Sequence, residues 1–178
     1  MDMEKYIEMA RSQGFDTVAP LDVSTLEFLP EVRDMCAADK CHSYDKSWSC
    51  PPACGSIEEI SQKCRQYTHG IIVQTIGRRE DEYDFMYMME SHDTHKERFA
   101  ALAEAYFAAG IDCYPMGTGA CTICAKCTYP DAPCRFPDMR MSPLEGYGIF
   151  VSDLCTKNNI PYNRGKGTLT YVGAFLFA

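Results

Sequence analysis

Four cysteines fall within fourteen residues as Cys121-x-x-Cys124-x-x-Cys127-x6-Cys134. Thiolates match the softness of iron, and a [4Fe-4S] cube needs one protein ligand per iron, so this segment holds a full set. Bacterial ferredoxins begin with the same three-cysteine spacing, but their closely following fourth cysteine serves the other cluster. Only Cys121, Cys124 and Cys127 are therefore strictly comparable, and Cys134 is the nearest residue to close the site. Gly117 and Gly119 allow close backbone approach, Ile123, Phe136 and Pro137 can limit water, and Lys126 and Arg135 can offset negative charge. Zinc is the competitor, because four thiolates also make a tetrahedral structural site. Zinc ribbons more often split their ligands into two separated Cys-x-x-Cys pairs.

A second group is Cys36-x4-Cys41-x8-Cys50-Pro51-Pro52-Ala53-Cys54. Its four sulfurs can define a second cluster if the loop folds them together; zinc, a cluster shared with another subunit, or free thiols are the alternatives, since wide spacing dictates no geometry. The two prolines disfavour helix between Cys50 and Cys54 and can hold a ligand loop open, as they can any turn. Cys64 is a spare ligand, whereas Cys113 and Cys155 read as small apolar residues of a strand and a helix. A disulfide framework is disfavoured because the count of eleven cysteines is odd and no export signal is recognisable.

Composition narrows the partners. A net charge of -8 argues against a broad phosphate-binding surface, so no nucleic acid is expected. No stretch approaches the roughly 18 apolar residues of a membrane helix, and a cytoplasmic protein with no membrane partner is the expectation. With 178 residues, 46% of them hydrophobic, one metal-binding domain over residues 1–178 can bury a core of its own. Oligomeric state has no signature.

The elements that must position the cysteines read as α+β: a small mixed β-sheet covered by helices, with cysteine-rich cluster-binding loops at its margin. Helix is expected over Glu4–Gln13, stopped by Gly14, then strand over Phe15–Ala19 and a short helix from Pro30 to Cys36. Residues Ala37–Gly55 have no clean period. The capping box Ser56-Ile57-Glu58-Glu59 starts a helix to about Tyr67, followed by a buried strand over Gly70–Ile76. Asp81–Ala109 reads as helix interrupted near Ser91–Thr94, and Ile111–Met116 as strand. A second box at Ser142-Pro143-Leu144-Glu145 predicts helix to Lys157, and Thr168–Phe177 is the last strand.

The joint pattern Cys36…Cys41…Tyr44…Trp48-Ser49-Cys50-Pro51-Pro52, then Gly119-Ala120-Cys121-Thr122-Ile123-Cys124-Ala125-Lys126-Cys127…Pro133-Cys134-Arg135-Phe136-Pro137, resembles the DUF2284 family of predicted metal-binding proteins. Ser142 to Ile149 extends the likeness, which runs from about Cys36 to the C-terminus. The resemblance implies metal binding, iron-sulfur first, and no particular reaction.

Three function classes follow. The leading one is a one-electron transfer or redox accessory protein acting on a redox partner protein; the others are a cluster-dependent reductase of a small molecule or cofactor, and a zinc-stabilised interaction module. For the reductase, His92 and His95 share a helical face, but a solvated polar face explains their spacing better than catalysis. For the module, Tyr83, Phe85, Met86, Tyr87, Met88 and Met89 would supply a surface, although such a group reads first as core. The radical SAM spacing is missing because Cys50-x3-Cys54 lacks a third cysteine at position 57. Gly117-Thr118-Gly119 and Gly165-Lys166-Gly167-Thr168 do not complete a phosphate loop, and no flavin or nicotinamide fingerprint is present.

Overall fold

Ile71, Ile72 and Val73 are all fully buried, which requires a strand covered on both faces. They lie in β2 (His69–Arg78), whose neighbours are β1 (Thr17–Leu21) and β5 (Thr168–Phe177), both antiparallel to it. β5 in turn pairs antiparallel with β3 (Cys113–Gly117), and β3 pairs parallel with β4 (Ser142–Pro143). The mixed sheet has the order β1-β2-β5-β3-β4. The computed structural model describes residues 2–78 and 85–178.

The period-two alternation of side chains along a strand divides the core into two layers. Ile71, Val73, Phe175 and Phe177 point to one face, where they meet Phe99, Leu102 and Tyr106 of α4 (Phe85–Ala108) and Ala10 of α1 (Met3–Ser12). The Tyr106 hydroxyl donates to the Tyr6 carbonyl at 2.6 Å, joining the two helices. Ile72, Val172, Ala174 and Leu176 point to the other face, against Ile60 and Cys64 of α3 (Ile57–Cys64) and Leu154 and Cys155 of α5 (Val151–Lys157). Helices thus cover both faces of an antiparallel-dominated sheet, an α+β fold, as expected. A short helix α2 (Pro30–Asp34) and a 3-10 turn over Met35–Ala38 lead into the first cysteine loop.

Several expectations need correction. α4 is one continuous helix of 24 residues, without a break near Ser91–Thr94. There the Ser91 hydroxyl is satisfied by the Tyr87 carbonyl one turn back, so it does not compete with the helix. The expected start at Asp81 lies outside the described residues, as do Tyr83 and the Phe85 side chain. Met86 is 78% exposed and Met89 44%, so these members of the apolar group are surface residues rather than core. No helix starts at Ser142: that residue is fully buried in β4, opposite Met116. The chain then makes a 3-10 turn over Glu145–Tyr147, and Gly148, at φ +81°, ends it before α5. By contrast, the box at Ser56 and Glu59 forms both of its reciprocal hydrogen bonds.

Gly173 of β5 lies under the Phe99 ring, which stacks on Phe175 at a centroid distance of 4.3 Å. A Cβ at position 173 would stand 2.4 Å from Phe99 Cε2, closer than packed carbons tolerate. Gly173→Ala is therefore expected to cost about 1–3 kcal/mol by overpacking. Urea unfolding should recover part of that loss in the Phe99→Leu background, and the same loss in both backgrounds would refute the clash.

Candidate metal centre

The first cysteine loop is shaped by its own polar side chains. Asp39, His42 and Asp45 adopt left-handed φ values of +48°, +57° and +54°. Such turns suit Asp, whose short side chain can bond nearby backbone. Asp39 accepts from the Tyr44 amide at 2.9 Å and from Lys46 Nζ at 3.2 Å, and Lys46 also donates to the His42 carbonyl at 3.1 Å. The Asp45 amide donates to the Pro51 carbonyl at 2.8 Å, closing the loop over a cis Pro51-Pro52 bond. Cys36, Cys41 and Cys50 are thereby brought to the wall of one cavity of about 260 Å³, shared with Tyr44, Gly119 and Glu145. Cys54 lies at its side, 4% exposed, with its thiol directed at the Gly146 carbonyl at 3.6 Å.

The second loop leaves β3 at Gly117 and returns at β4, so its two ends are pinned on adjacent strands. Arg135 donates to the Lys126 carbonyl at 2.9 Å and Thr128 to the Pro133 carbonyl at 2.8 Å, which fold Cys127 and Cys134 toward each other's segment. Cys121, Cys124, Cys127 and Cys134 are all half-buried. Lys126 and Arg135, expected to offset cluster charge, are exposed residues joined by that backbone contact.

The two loops, far apart in sequence, meet. Ser49, 1% exposed, accepts from the Cys121 amide at 2.9 Å and lies 3.8 Å from the Cys50 sulfur. Trp48 donates its indole N–H to the Ala132 carbonyl at 2.9 Å and stands edge-on to Tyr129, whose hydroxyl donates to Asp45. Lys96 of α4 donates to the Ala120 carbonyl. Burial lowers its ammonium pKa, and the neighbouring Cys121, Asp93 and Cys50 act in the opposite sense, so one cation is in electrostatic reach of both thiol groups. Burial, then Cys41, Glu145, Cys50 and Cys54, pushes the Cys36 thiol up to about 11. Its neighbours are thus the other members of its own group. Surrounding protein also raises the Glu145 carboxyl, although one side of that residue remains open to solvent. Near Cys54, Arg33 and Arg140 favour the thiolate against the dominant effect of burial.

Among the described residues no three His, Cys, Asp or Glu are grouped as a site for a metal ion. All eleven cysteines are free thiols. Cys64, Cys113 and Cys155 are buried in the two core layers, the role read for the last two, and Cys64 is no part of either loop.

The sequence reading missed Lys96 and Ser49. Neither carries a signal of its own: Lys96 is one charge in a charged helix, and Ser49 becomes legible only through its place beside Cys50. His95 also departs from its expected solvated face. It is 0% exposed, its Nδ1 lies 3.0 Å from the Thr75 hydroxyl, and Phe15 and Phe99 flank the ring. His92 stays half-exposed beside Asp93.

An α+β scaffold presenting two adjoining thiol loops is a metal-binding architecture. The DUF2284 family, described as "Predicted metal-binding protein", matches residues 19–177, and the chain belongs to that family. No curated protein and no solved structure matches it.

Two outcomes follow. Ser49→Ala leaves the Cys121 amide without its acceptor and is expected to cost about 1–3 kcal/mol in chemical unfolding; a loss no larger than that of an exposed serine would disprove the bridge. Burial lowers the His95 pKa from 6.5 to about 3, so the folded protein keeps this ring neutral where the unfolded chain protonates it. The stability from neutral His95 is complete above about pH 6.5 and is withdrawn as the pH falls toward 3, at ~1.4 kcal/mol per pH unit. His95→Met should flatten the stability profile over that window relative to wild type, and parallel profiles would show that His95 does not titrate there.

Proposed function

We propose that the chain is an iron-sulfur protein in which Cys121, Cys124, Cys127 and Cys134 hold one [4Fe-4S] cluster and Cys36, Cys41, Cys50 and Cys54 hold a second. Its role is one-electron transfer to a redox partner protein in the cytoplasm, from a single domain over residues 1–178. The observation that carries this reading is the meeting of the two thiol groups at Ser49 and Lys96. Bound in these loops, the clusters supply reversible one-electron chemistry, with potentials set by burial, charge and hydrogen bonding.

The chain's own residues have distinct parts in this role. Lys96 offsets negative charge between the groups, and Arg33 and Arg140 do so beside Cys54. Tyr44, Pro51 and Pro143 wall the first cavity and restrict water. The second loop keeps its cysteines half-buried, near enough to the surface for electron exchange. Met35, 60% exposed next to Cys36, and Phe136, 44% exposed beside Cys134, offer apolar contacts to a partner at both groups. Eleven free thiols suit a reducing compartment.

The test is anaerobic purification of the full chain with iron and acid-labile sulfide analysis and electron paramagnetic resonance across a redox titration. About eight irons and eight sulfides per chain are expected, with about half lost in Cys124→Ser and the other half in Cys50→Ser. A colourless protein saturated with zinc would replace this reading with the interaction module. Clusters that turn over a small molecule without a protein acceptor would replace it with the reductase.

A further inference from the structure

On the side of the sheet that carries α3, a cavity of about 380 Å³ opens between the end of that helix, β3 and the segment returning to β4. Three tyrosines form a ladder along it. Tyr67 and Tyr114 stack at 5.9 Å with planes 13° apart, and Tyr114 and Tyr147 at 5.9 Å with planes 10° apart. The Tyr114 hydroxyl donates to that of Tyr147 at 2.7 Å, which ties the second pair together. Lys63 covers the Tyr114 ring, its Nζ 5.5 Å from the centroid.

The charges divide by depth. Lys63, Asp112 and Asp138 are exposed at the rim, where water screens them. Arg140 is half-buried and is the one charged group among the deeper lining residues. Its Nε is shut off from solvent without a hydrogen-bond acceptor. A guanidinium donor buried without an acceptor beside aromatic walls is costly, and an anion accepting from it would relieve that cost.

We propose that this cavity is a binding site for a small planar aromatic carboxylate, the carboxylate accepting from Arg140 and the ring lying against the tyrosine wall. The geometry matches both halves of such a ligand, since guanidinium and carboxylate pair as forks and aromatic rings favour offset stacking. The site is independent of what fills the cysteine groups, but it adjoins one of them. Tyr147 follows Gly146, whose carbonyl faces the Cys54 thiol, and Arg140 is in electrostatic reach of that thiol. An anion bound at Arg140 therefore sits in the electrostatic neighbourhood of Cys54, placed to act as an effector of the first cysteine group.

Benzoate is the probe, titrated at pH 7 into the full chain as purified anaerobically and followed by calorimetry and by ring-proton shifts of Tyr67 and Tyr114. Saturable binding is expected, at least tenfold weaker in Arg140→Gln and partly restored in Arg140→Lys, with the fold checked by circular dichroism. Asp138→Asn, a rim change that leaves the interior untouched, should tighten binding about twofold by removing a like charge; it serves as the second variant if Arg140→Gln does not fold. Phenol, which lacks the carboxylate, should bind wild type and Arg140→Gln alike. No saturable benzoate binding, equal affinity in a folded Arg140→Gln protein, no gain in Asp138→Asn, or inorganic phosphate binding as tightly as benzoate would each overturn the assignment.

Discussion

Side chains of one irregular loop, running from the 3-10 turn after α2 to α3, and of α4 satisfy backbone groups of another irregular loop, running from β3 to β4. Amides and carbonyls outside helices and strands must find partners or water. Here the Cys121 amide finds Ser49, the Ala132 carbonyl finds Trp48, and the Ala120 carbonyl finds Lys96. The cysteines inherit their positions from these bonds. A sheet alone would deliver the loop ends to one margin, but it would not bring Cys50 and Cys121 to either side of one serine.

The scaffold explains why those bonds can hold. β2 and β5 pair over ten residues each and are buried on both faces along most of their shared length, so the sheet is stiffened by two core layers rather than one. α4 runs the length of one face and carries Lys96 to the loop junction, while Phe99, one turn further along, is clamped on Phe175 and Gly173. The lysine that serves both thiol groups is therefore positioned by an aromatic contact in the core. Tyr147 has the corresponding place on the opposite face: it is fully buried, ends the turn that begins at Glu145, and joins the first cavity to the tyrosine ladder.

Much of this was legible from residue types. The strand over Thr168–Phe177 and the capping box at Ser56 follow from local chemistry and appear as expected, and the α+β class follows from interleaved helical and strand periods. The failures share a cause, which is tertiary context overriding a local signal. Ser142 has capping-box chemistry, but pairing with Met116 draws it into the sheet. His95 resembles a surface residue in a polar run, yet its turn of α4 faces Thr75 and Phe15. Within the cysteine groups, spacing identifies the donors; which thiols share a wall depends on contacts such as Asp39 to Tyr44 that no spacing rule encodes.

The loop from Gly117 to β4 leaves and re-enters the sheet on neighbouring strands, with Met116 opposite Ser142 and Gly117 opposite Pro143. Closure entropy grows only with the logarithm of length, about 0.6 kcal/mol for each doubling, once the ends are held side by side. The scaffold therefore treats the intervening segment as a replaceable cassette. Its length and composition can drift during evolution, or be exchanged by grafting, with little penalty to the underlying sheet, so the chemistry displayed at this margin can diversify faster than the architecture that supports it.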